Sequence, residues 1–144
     1  MYLQQIDVTG CRLVGALSKE LGHDGPKHHA LVLGRSLLDG KVYVAELMDT
    51  GYQVRTYDEF HKRYSANAEI RIQPNDGPSE NLHVAQRALA ELKRGGQSYD
   101  LITNNCESFV NRAMHETSTS SQVINTALGV AMLVGLIYVL KNSK

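Results

Sequence analysis

Several short runs along the first half of the chain are mostly apolar, and one of them, residues 52–57, alternates apolar and polar positions; both patterns predict β-strands. Each run is bounded by glycine, proline or acidic and amide residues that favour turns. The predicted strands are residues 11–17, 28–34, 41–48, 52–57 and 69–72, with a loop over residues 21–27. Asp39 and Gly40 lie between the second and third runs, so we expect these two strands to form a hairpin.

The spacing of apolar residues then changes to that of a helix. Apolar side chains recur every three or four positions over residues 82–92. We expect Ser79 to cap the N-terminus of this helix and Gly95 to end it. A shorter helix is predicted over residues 58–64, with Asp58 as its cap.

A further helix is predicted directly after the segment 99–103. Asn104 and Glu107 have the spacing of a capping box, with asparagine in the cap position. The apolar residues that follow share one face of this helix: Cys106, Phe109, Val110 and Ala113. The whole pattern predicts an α+β fold, an antiparallel sheet of about four strands packed against helices.

The end of the chain has a different pattern. Residues 123–140 form an eighteen-residue run without a charge, preceded by a polar linker over residues 117–122. A helix of this length spans ~27 Å, close to the ~30 Å hydrocarbon core of a bilayer, and Lys141 can reach the lipid headgroups. We expect a C-terminal hydrophobic helix that anchors the protein in a membrane. A helix buried in a soluble core or oligomer is the alternative.

Small residues at Ala127, Ala131 and Gly135 recur every four positions in this run. They give one face of the predicted helix on which a second helix can approach closely in lipid. A homo-oligomer formed through the C-terminal helix is therefore a further expectation. We divide the chain into a folded N-terminal domain (1–116), the linker (117–122) and the anchor (123–140).

Composition and charge fit one globular domain ahead of the tail. The 144 residues are 42% hydrophobic and 21% charged, which is typical of a folded domain. Basic and acidic residues balance to a formal net charge of zero, and this argues against a nucleic-acid partner bound through bulk positive charge. All acidic residues precede residue 117, so the zero is the sum of −2 over residues 1–116 and +2 over the remainder.

The beginning of the chain and its cysteines bear on the compartment. The first residues lack the basic segment and apolar run of a signal peptide. Two cysteines, Cys11 and Cys106, do not suggest a disulfide framework. We therefore expect a membrane-associated, tail-anchored protein whose N-terminal domain (1–116) lies in the cytoplasm.

Cys106 is the strongest candidate for a catalytic side chain. In the first turn of a helix, the free backbone N–H groups and the positive end of the helix dipole favour the thiolate over the thiol. The same N–H groups can stabilise an oxyanion after the sulfur attacks a carbonyl carbon. The alternative is that Cys106 is a small buried hydrophobic residue on the packing face of the helix.

A thiol nucleophile needs a base, and histidine is the usual one. Of the six histidines, His28 and His29 open an apolar strand and must lie on opposite faces of the sheet; the periodicity does not choose between them. Glu46 stands in a strand that is apolar on both faces, and a buried acid needs a partner. If the hairpin is centred on Leu37, Glu46 lies directly opposite His28 and can orient its ring. The alternative is a glutamate on an edge strand that points into water.

Two segments resemble motifs of the lecithin retinol acyltransferase-like proteins. Residues 28–34, HHALVLG, resemble the family's histidine box, in which an aromatic, a small residue, apolar residues and glycine follow the histidine. Residues 99–111, YDLITNNCESFVN, resemble its Asn-Cys-Glu-x-Phe-Val block, with Ser108 where histidine is common. The resemblance covers about residues 9–115. It implies a circularly permuted papain-like fold.

The resemblance also implies a mechanism through a thioester acyl-enzyme. Cys106 takes the nucleophile position, His28 the base position, and His29 the position that is usually aromatic. The third polar position falls near Glu46, where the small vertebrate members carry a second histidine. The implied chemistry needs no cofactor and no metal.

The expected function is that of a membrane-tethered, phospholipase-like acyl hydrolase or acyltransferase that acts on lipid esters. A phospholipid or another acyl lipid would be the substrate. Two alternatives stay open. One is a thiol peptidase or amidase of the same superfamily, and the other is a non-enzymatic protein that acts on membranes or in virus–host contact.

Overall fold

The computed structural model describes residues 7–95 and 105–116 of the chain. The elements are β1 (Arg12–Ala16), β2 (Lys27–Arg35), β3 (Val42–Met48), β4 (Gly51–Thr56), α1 (Tyr57–Tyr64), β5 (Arg71–Gln73), α2 (Asn81–Arg94) and α3 (Cys106–His115). A short 3-10 turn at Gly22–Asp24 lies between β1 and β2. The predicted α+β fold is confirmed, with five strands in the described part of the chain instead of about four.

The strands form one sheet in the order β4-β3-β2-β1-β5, and all neighbouring strands are antiparallel. The strands β2 and β3 therefore lie in the interior of the sheet. Glu46 belongs to β3 and is fully buried. The alternative that placed Glu46 on an edge strand facing water is wrong.

The β2–β3 hairpin has a different register from the predicted one. Leu31 pairs with Ala45, so continuing the ladder places Glu46 opposite Ala30 and not opposite His28. Next to the turn, Gly34 pairs with Tyr43, so the loop is centred between Leu38 and Asp39 and not on Leu37. A bulge in β2 between Val32 and Gly34 then moves the pairing back by one residue, which leaves a net difference of two from the predicted register. The shift is two residues, an even number, so Glu46 and His28 keep the same face of the sheet.

Helices cover both faces of the sheet. On one face, the sheet packs against α1 in a buried cluster that contains Val8, Leu13, Ala30, Val32, Val42, Val44, Phe60 and Tyr64. The opposite face packs on α2 and α3 through residues that include Leu31, Leu33, Ala45, Leu47, Val84, Leu89, Phe109 and Val110. Because both faces are covered, β2 and β3 are nearly continuous apolar runs, which explains why their sequence alternates weakly.

The predicted N-caps of α1 and α2 are wrong. The N-cap of α1 is Thr56, whose hydroxyl accepts from the backbone N–H of Glu59 while the Glu59 carboxylate accepts from the N–H of Thr56. This Thr-x-x-Glu capping box satisfies two backbone donors at once, which a cap at Asp58 would not. The helix α2 begins one residue later than predicted, with Glu80 instead of Ser79 at its N-cap.

Tyr64 of α1 lies directly against β1 at Gly15. A Cβ atom at Gly15 would be 2.7 Å from Cγ of Tyr64. Gly15 pairs with His28 in the β1–β2 ladder, and the ring centroids of Tyr64 and His28 are 5.4 Å apart. The missing side chain at Gly15 therefore allows α1 to approach the sheet beside His28.

The predicted linker over residues 117–122 and the predicted hydrophobic helix over residues 123–140 lie outside the described residues. Within residues 7–95 and 105–116, no helix combines the length and the apolar character needed to cross a bilayer.

The close approach at Gly15 predicts a stability effect. Gly15→Ala adds a methyl group where Tyr64 packs, and should lower the free energy of unfolding by ~1–3 kcal/mol, as overpacking does. Urea unfolding followed by circular dichroism measures the change. Arg71→Ala, at an exposed position of β5, is the control and should stay within ~0.5 kcal/mol of the parent protein. An unchanged unfolding midpoint in Gly15→Ala would contradict the packing argument.

Candidate active site

The helix α3 begins with Cys106, and Asn105 is its N-cap. The side-chain oxygen of Asn105 accepts from the N–H of Ser108 at 3.0 Å, and Oγ of Ser108 accepts from the N–H of Asn105 at 2.8 Å. The predicted capping box of Asn104 with Glu107 is therefore wrong by one residue. The predicted position of Cys106 is confirmed, since this residue lies in the first turn of α3.

Hydrogen-bond donors surround the sulfur of Cys106. The side chain is nearly buried, with 9% of the residue exposed, and the backbone N–H of His29 donates to Sγ at 3.5 Å. Burial raises the pKa of the Cys106 thiol, but hydrogen bonding by the His28 ring and by the N–H groups of His29 and Glu107, together with the charge of His28, outweighs burial and holds the pKa below its usual value. The surroundings therefore favour a thiolate, unlike those of an inert buried cysteine.

His28 connects the sulfur to Glu46. His28 is 6% exposed and Glu46 is fully buried, and His28 Nε2 donates to Oε1 of Glu46 at 2.7 Å. Because Glu46 holds Nε2, the ring nitrogen left for the sulfur is Nδ1. Burial alone lowers the pKa of His28, but its hydrogen bonds to Cys106 and Glu46 and the negative charges of both raise it to about 9. At neutral pH the ring is therefore an imidazolium, which lies between the sulfur of Cys106 and the carboxylate of Glu46.

Two arginines complete the surroundings of Glu46. Nη2 of Arg63 donates to both carboxylate oxygens, at 2.7 and 2.8 Å, and Nε of Arg55 lies 3.6 Å from Oε2. Burial raises the pKa of Glu46, but His28 and Arg63 outweigh it and lower the pKa below its usual value. Glu46 is therefore ionised although it is buried.

Aromatic rings of α1 pack against the His28 ring. The Phe60 ring stacks on it with centroids 6.0 Å apart and an interplanar angle of 27°, and the Tyr64 ring lies at 5.4 Å. The guanidinium of Arg63 in turn lies 4.9 Å from the centroid of the Tyr64 ring. The helix α1 thus supplies both the aromatic rings that pack against the imidazole of His28 and the guanidinium that binds the carboxylate of Glu46.

The side chain of His29 belongs to a separate cluster. Its Nδ1 accepts from Nη1 of Arg12 at 3.0 Å, and Arg12 also donates to the side-chain oxygen of Asn111. Burial and the positive charge of Arg12 lower the pKa of His29, so its ring is neutral. The structure thus brings the ring of His28 to the sulfur and to Glu46, while His29 contributes its backbone N–H.

Sequence reasoning missed the two arginines and the N–H of His29. Arg55 lies on β4 and Arg63 on α1, so their convergence on Glu46 depends on strand register and on how α1 packs. The available signal was indirect, because a buried acid requires cations or donors near it. The N–H of His29 is not paired with β3, since the β2–β3 ladder begins at Leu31.

The arrangement has the parts of a covalent acyl-transfer site. A thiolate at a helix N-terminus is a nucleophile, an imidazolium beside it can give and take a proton, and backbone N–H groups can stabilise a tetrahedral oxyanion. In the part of the chain that the structure describes, no cluster of three or more His, Cys, Asp or Glu side chains could hold a metal ion.

Comparison with known families gives one match. A family model described as lecithin retinol acyltransferase matches residues 26–119, well over half of the chain. The matched segment includes His28, Glu46 and Cys106. Neither the comparison with curated proteins nor the comparison with solved structures gave a match. Members of the matched family are acyltransferases and hydrolases.

The electrostatics of the site predict selective labelling of Cys106. Its thiol has a lowered pKa, whereas burial and then the charge of Asp7 raise the pKa of Cys11. Iodoacetamide should therefore modify Cys106 faster than Cys11 at neutral pH, because the thiolate is the reactive form. Peptide mass spectrometry over a pH series measures both rates in one sample.

The variant His28→Gln tests the cause of this difference. Without the cation at His28, modification of Cys106 should move to higher pH, whereas Cys11 serves as the internal control and should not change. Equal rates at the two cysteines of the parent protein would show that the site does not stabilise the thiolate.

Proposed function

The chain belongs to the lecithin retinol acyltransferase family, and from this membership we propose that it is a cysteine-dependent acyl hydrolase or acyltransferase acting on lipid esters. The observation that carries the proposal is the position of the His28 ring, between the sulfur of Cys106 and the carboxylate of Glu46. A phospholipid or another acyl lipid is the proposed substrate. In this proposal Cys106 is the nucleophile, His28 the general acid and base, and Glu46 the residue that orients His28.

In the first half-reaction, the thiolate of Cys106 attacks the carbonyl carbon of the ester. A carbon–sulfur bond forms while the carbonyl electron pair moves to oxygen, and the oxyanion is stabilised by N–H groups at the start of α3. When this intermediate collapses, the carbon–oxygen bond breaks and His28 gives its proton to the leaving alkoxide. The alcohol product departs and the acyl group remains on Cys106 as a thioester.

In the second half-reaction, the neutral His28 takes a proton from water, an amine or an alcohol. The activated acceptor attacks the thioester carbon, and collapse of the second tetrahedral intermediate breaks the carbon–sulfur bond. The acyl product leaves, and the thiolate of Cys106 and the imidazolium of His28 are restored. Water as the acceptor makes the protein a hydrolase, and an amine or alcohol makes it a transferase.

We also propose that residues 123–140 anchor the catalytic domain at a membrane, with the domain on the cytoplasmic side. The support is the eighteen-residue uncharged run and the lysine that follows it at Lys141. An acyl lipid stays in the bilayer, so an anchor would raise the effective concentration of the site at the surface where its substrate lies.

The proposal predicts which substitutions remove activity. Cys106→Ala and His28→Ala should each abolish release of fatty acid from phospholipid vesicles, because the first lacks the nucleophile and the second lacks the proton donor. Glu46→Gln should cost less, roughly tenfold to a hundredfold, since an amide oxygen can still accept from Nε2 of His28. Mass spectrometry of extracted lipids measures the products.

Two matched variants control for folding and chemistry. Cys11→Ala replaces the other cysteine, and His61→Ala replaces an exposed histidine of α1; both should keep the parent activity. Full activity of Cys106→Ala toward phospholipid would refute the proposal. Cleavage of peptides but not of lipid esters, lost in Cys106→Ala, would assign the same site to an amidase instead.

The proposed anchor has its own test. The full chain and a chain ending at Thr117 are expressed in the same cells, and the membranes are extracted with alkaline carbonate. The full chain should stay in the membrane pellet and the shortened chain should appear in the supernatant, because the apolar run is the proposed attachment. Release of the full chain by carbonate would contradict the anchor.

A further inference from the structure

One oxygen of Glu46 accepts two hydrogen bonds. Oε1 lies 2.7 Å from Nε2 of His28 and also 2.7 Å from Nη2 of Arg63. The same Nη2 lies 2.8 Å from Oε2. Since both donors use the same carboxylate oxygen, the strength with which Glu46 holds His28 depends on Arg63.

We propose that Arg63 is a positioning residue that acts on His28 through Glu46, sharing the carboxylate so that Glu46 orients the imidazole without trapping its proton. The inference rests on the proposed role of His28, which must release a proton to the leaving group in each turnover. A buried carboxylate with no other partner would hold the imidazolium proton strongly, because hydrogen bonds and charges act at short range with little screening there. A general acid works best when its proton is not held too tightly.

Arg63 has this role and Arg55 does not, because their distances to Glu46 differ. Nε of Arg55 is 3.6 Å from Oε2, beyond the range of a hydrogen bond. Arg55 also faces Glu59 at 4.0 Å and donates to the side chain of Gln53. Arg55 therefore contributes positive charge, whereas Arg63 contributes both charge and the hydrogen bond that competes with His28.

Arg63 also contacts His28 indirectly, through the ring of Tyr64. Its guanidinium lies 4.9 Å from the centroid of the Tyr64 ring, and the Tyr64 ring packs against His28. The Arg63 side chain is 30% exposed, while Glu46 has no exposure. The guanidinium thus bridges the solvent and the buried acid, so its charge can be removed without opening a cavity in the core.

Several charged or titratable groups face the Glu46–His28 pair from the surrounding elements. In the described part of the chain they are Arg55 on β4, Arg63 and Tyr64 on α1, and Cys106 on α3, with Glu59 beyond Arg55. Burial raises the pKa of Tyr64, so that side chain stays neutral. Removing Arg63 therefore takes away one of the two arginines that face Glu46.

The experiment is an NMR titration of His28 in Arg63→Met, with the resonance assigned from its absence in His28→Gln. The parent protein should titrate near pH 9 at this position. In Arg63→Met the titration should move up by about 1 pH unit, because a competing donor and a nearby cation are both lost. Arg63→Lys keeps the charge and should stay close to the parent. If Arg63 only packs α1 on the sheet, its loss loosens Glu46 from His28 and the titration moves down instead.

Three comparisons make the result decisive. In a Glu46→Gln background, Arg63→Met should cause a clearly smaller rise, because the route through Glu46 is gone. Arg71→Met, at an exposed position of β5, should not move the titration. Arg63→Gln carries the same expectation as Arg63→Met if the methionine variant does not fold.

An unchanged or lowered titration in the neutral Arg63 variants overturns the inference, as does an equal rise in the Glu46→Gln background. The titration uses no substrate, so its outcome is separate from that of the proposed function. Failure of the proposed function would appear as acyl release that does not depend on Cys106.

Discussion

The buried carboxylate of Glu46 is the constraint on which the rest of the site depends. An ionised carboxylate without solvent costs several kcal/mol unless donors and cations replace the lost water. The fold supplies them from three elements, His28 on β2, Arg63 on α1 and Arg55 on β4. The helix α1 must therefore satisfy two demands at once. Its apolar side chains have to cover the sheet, and its arginine has to reach the acid.

From this acid the charges alternate through the site to the nucleophile. The guanidinium of Arg63 faces the carboxylate of Glu46, which faces the imidazolium of His28, which faces the sulfur of Cys106. Each charge favours the ionised form of its neighbour, so the site stabilises the ionised forms of the proposed nucleophile and acid before any substrate arrives. The sulfur comes from α3 on the opposite face of the sheet. The strand β2 joins the two halves, with the ring of His28 and the backbone N–H of His29.

Adjacent histidines in β2 illustrate how neighbours decide chemistry. His28 lies beside a carboxylate and a thiol, and its pKa rises to about 9. His29 lies on the other face beside Arg12, and burial and that charge lower its pKa. The two residues have the same side chain, although His28 is buried and His29 is only partly buried. The difference arises from the strand geometry, which sends successive side chains to opposite faces and so to opposite charges.

Local patterns in the sequence determined the α+β class and the approximate positions of the strands and helices. They also placed Cys106 in the first turn of a helix. These features were predictable because short apolar runs, helical spacing and capping residues depend on only a few neighbouring positions. The same patterns also marked Glu46 as a buried acid that needs a partner. Tertiary structure alone decided the hairpin register, which the loop position and a bulge together place two residues from the predicted one, and the choice of Asn105 over its neighbour as the cap of α3. It alone brought Arg55 and Arg63 to Glu46. Strand pairing and helix docking join residues that are distant along the chain, and their geometry is set by how the whole core packs, which no local pattern encodes.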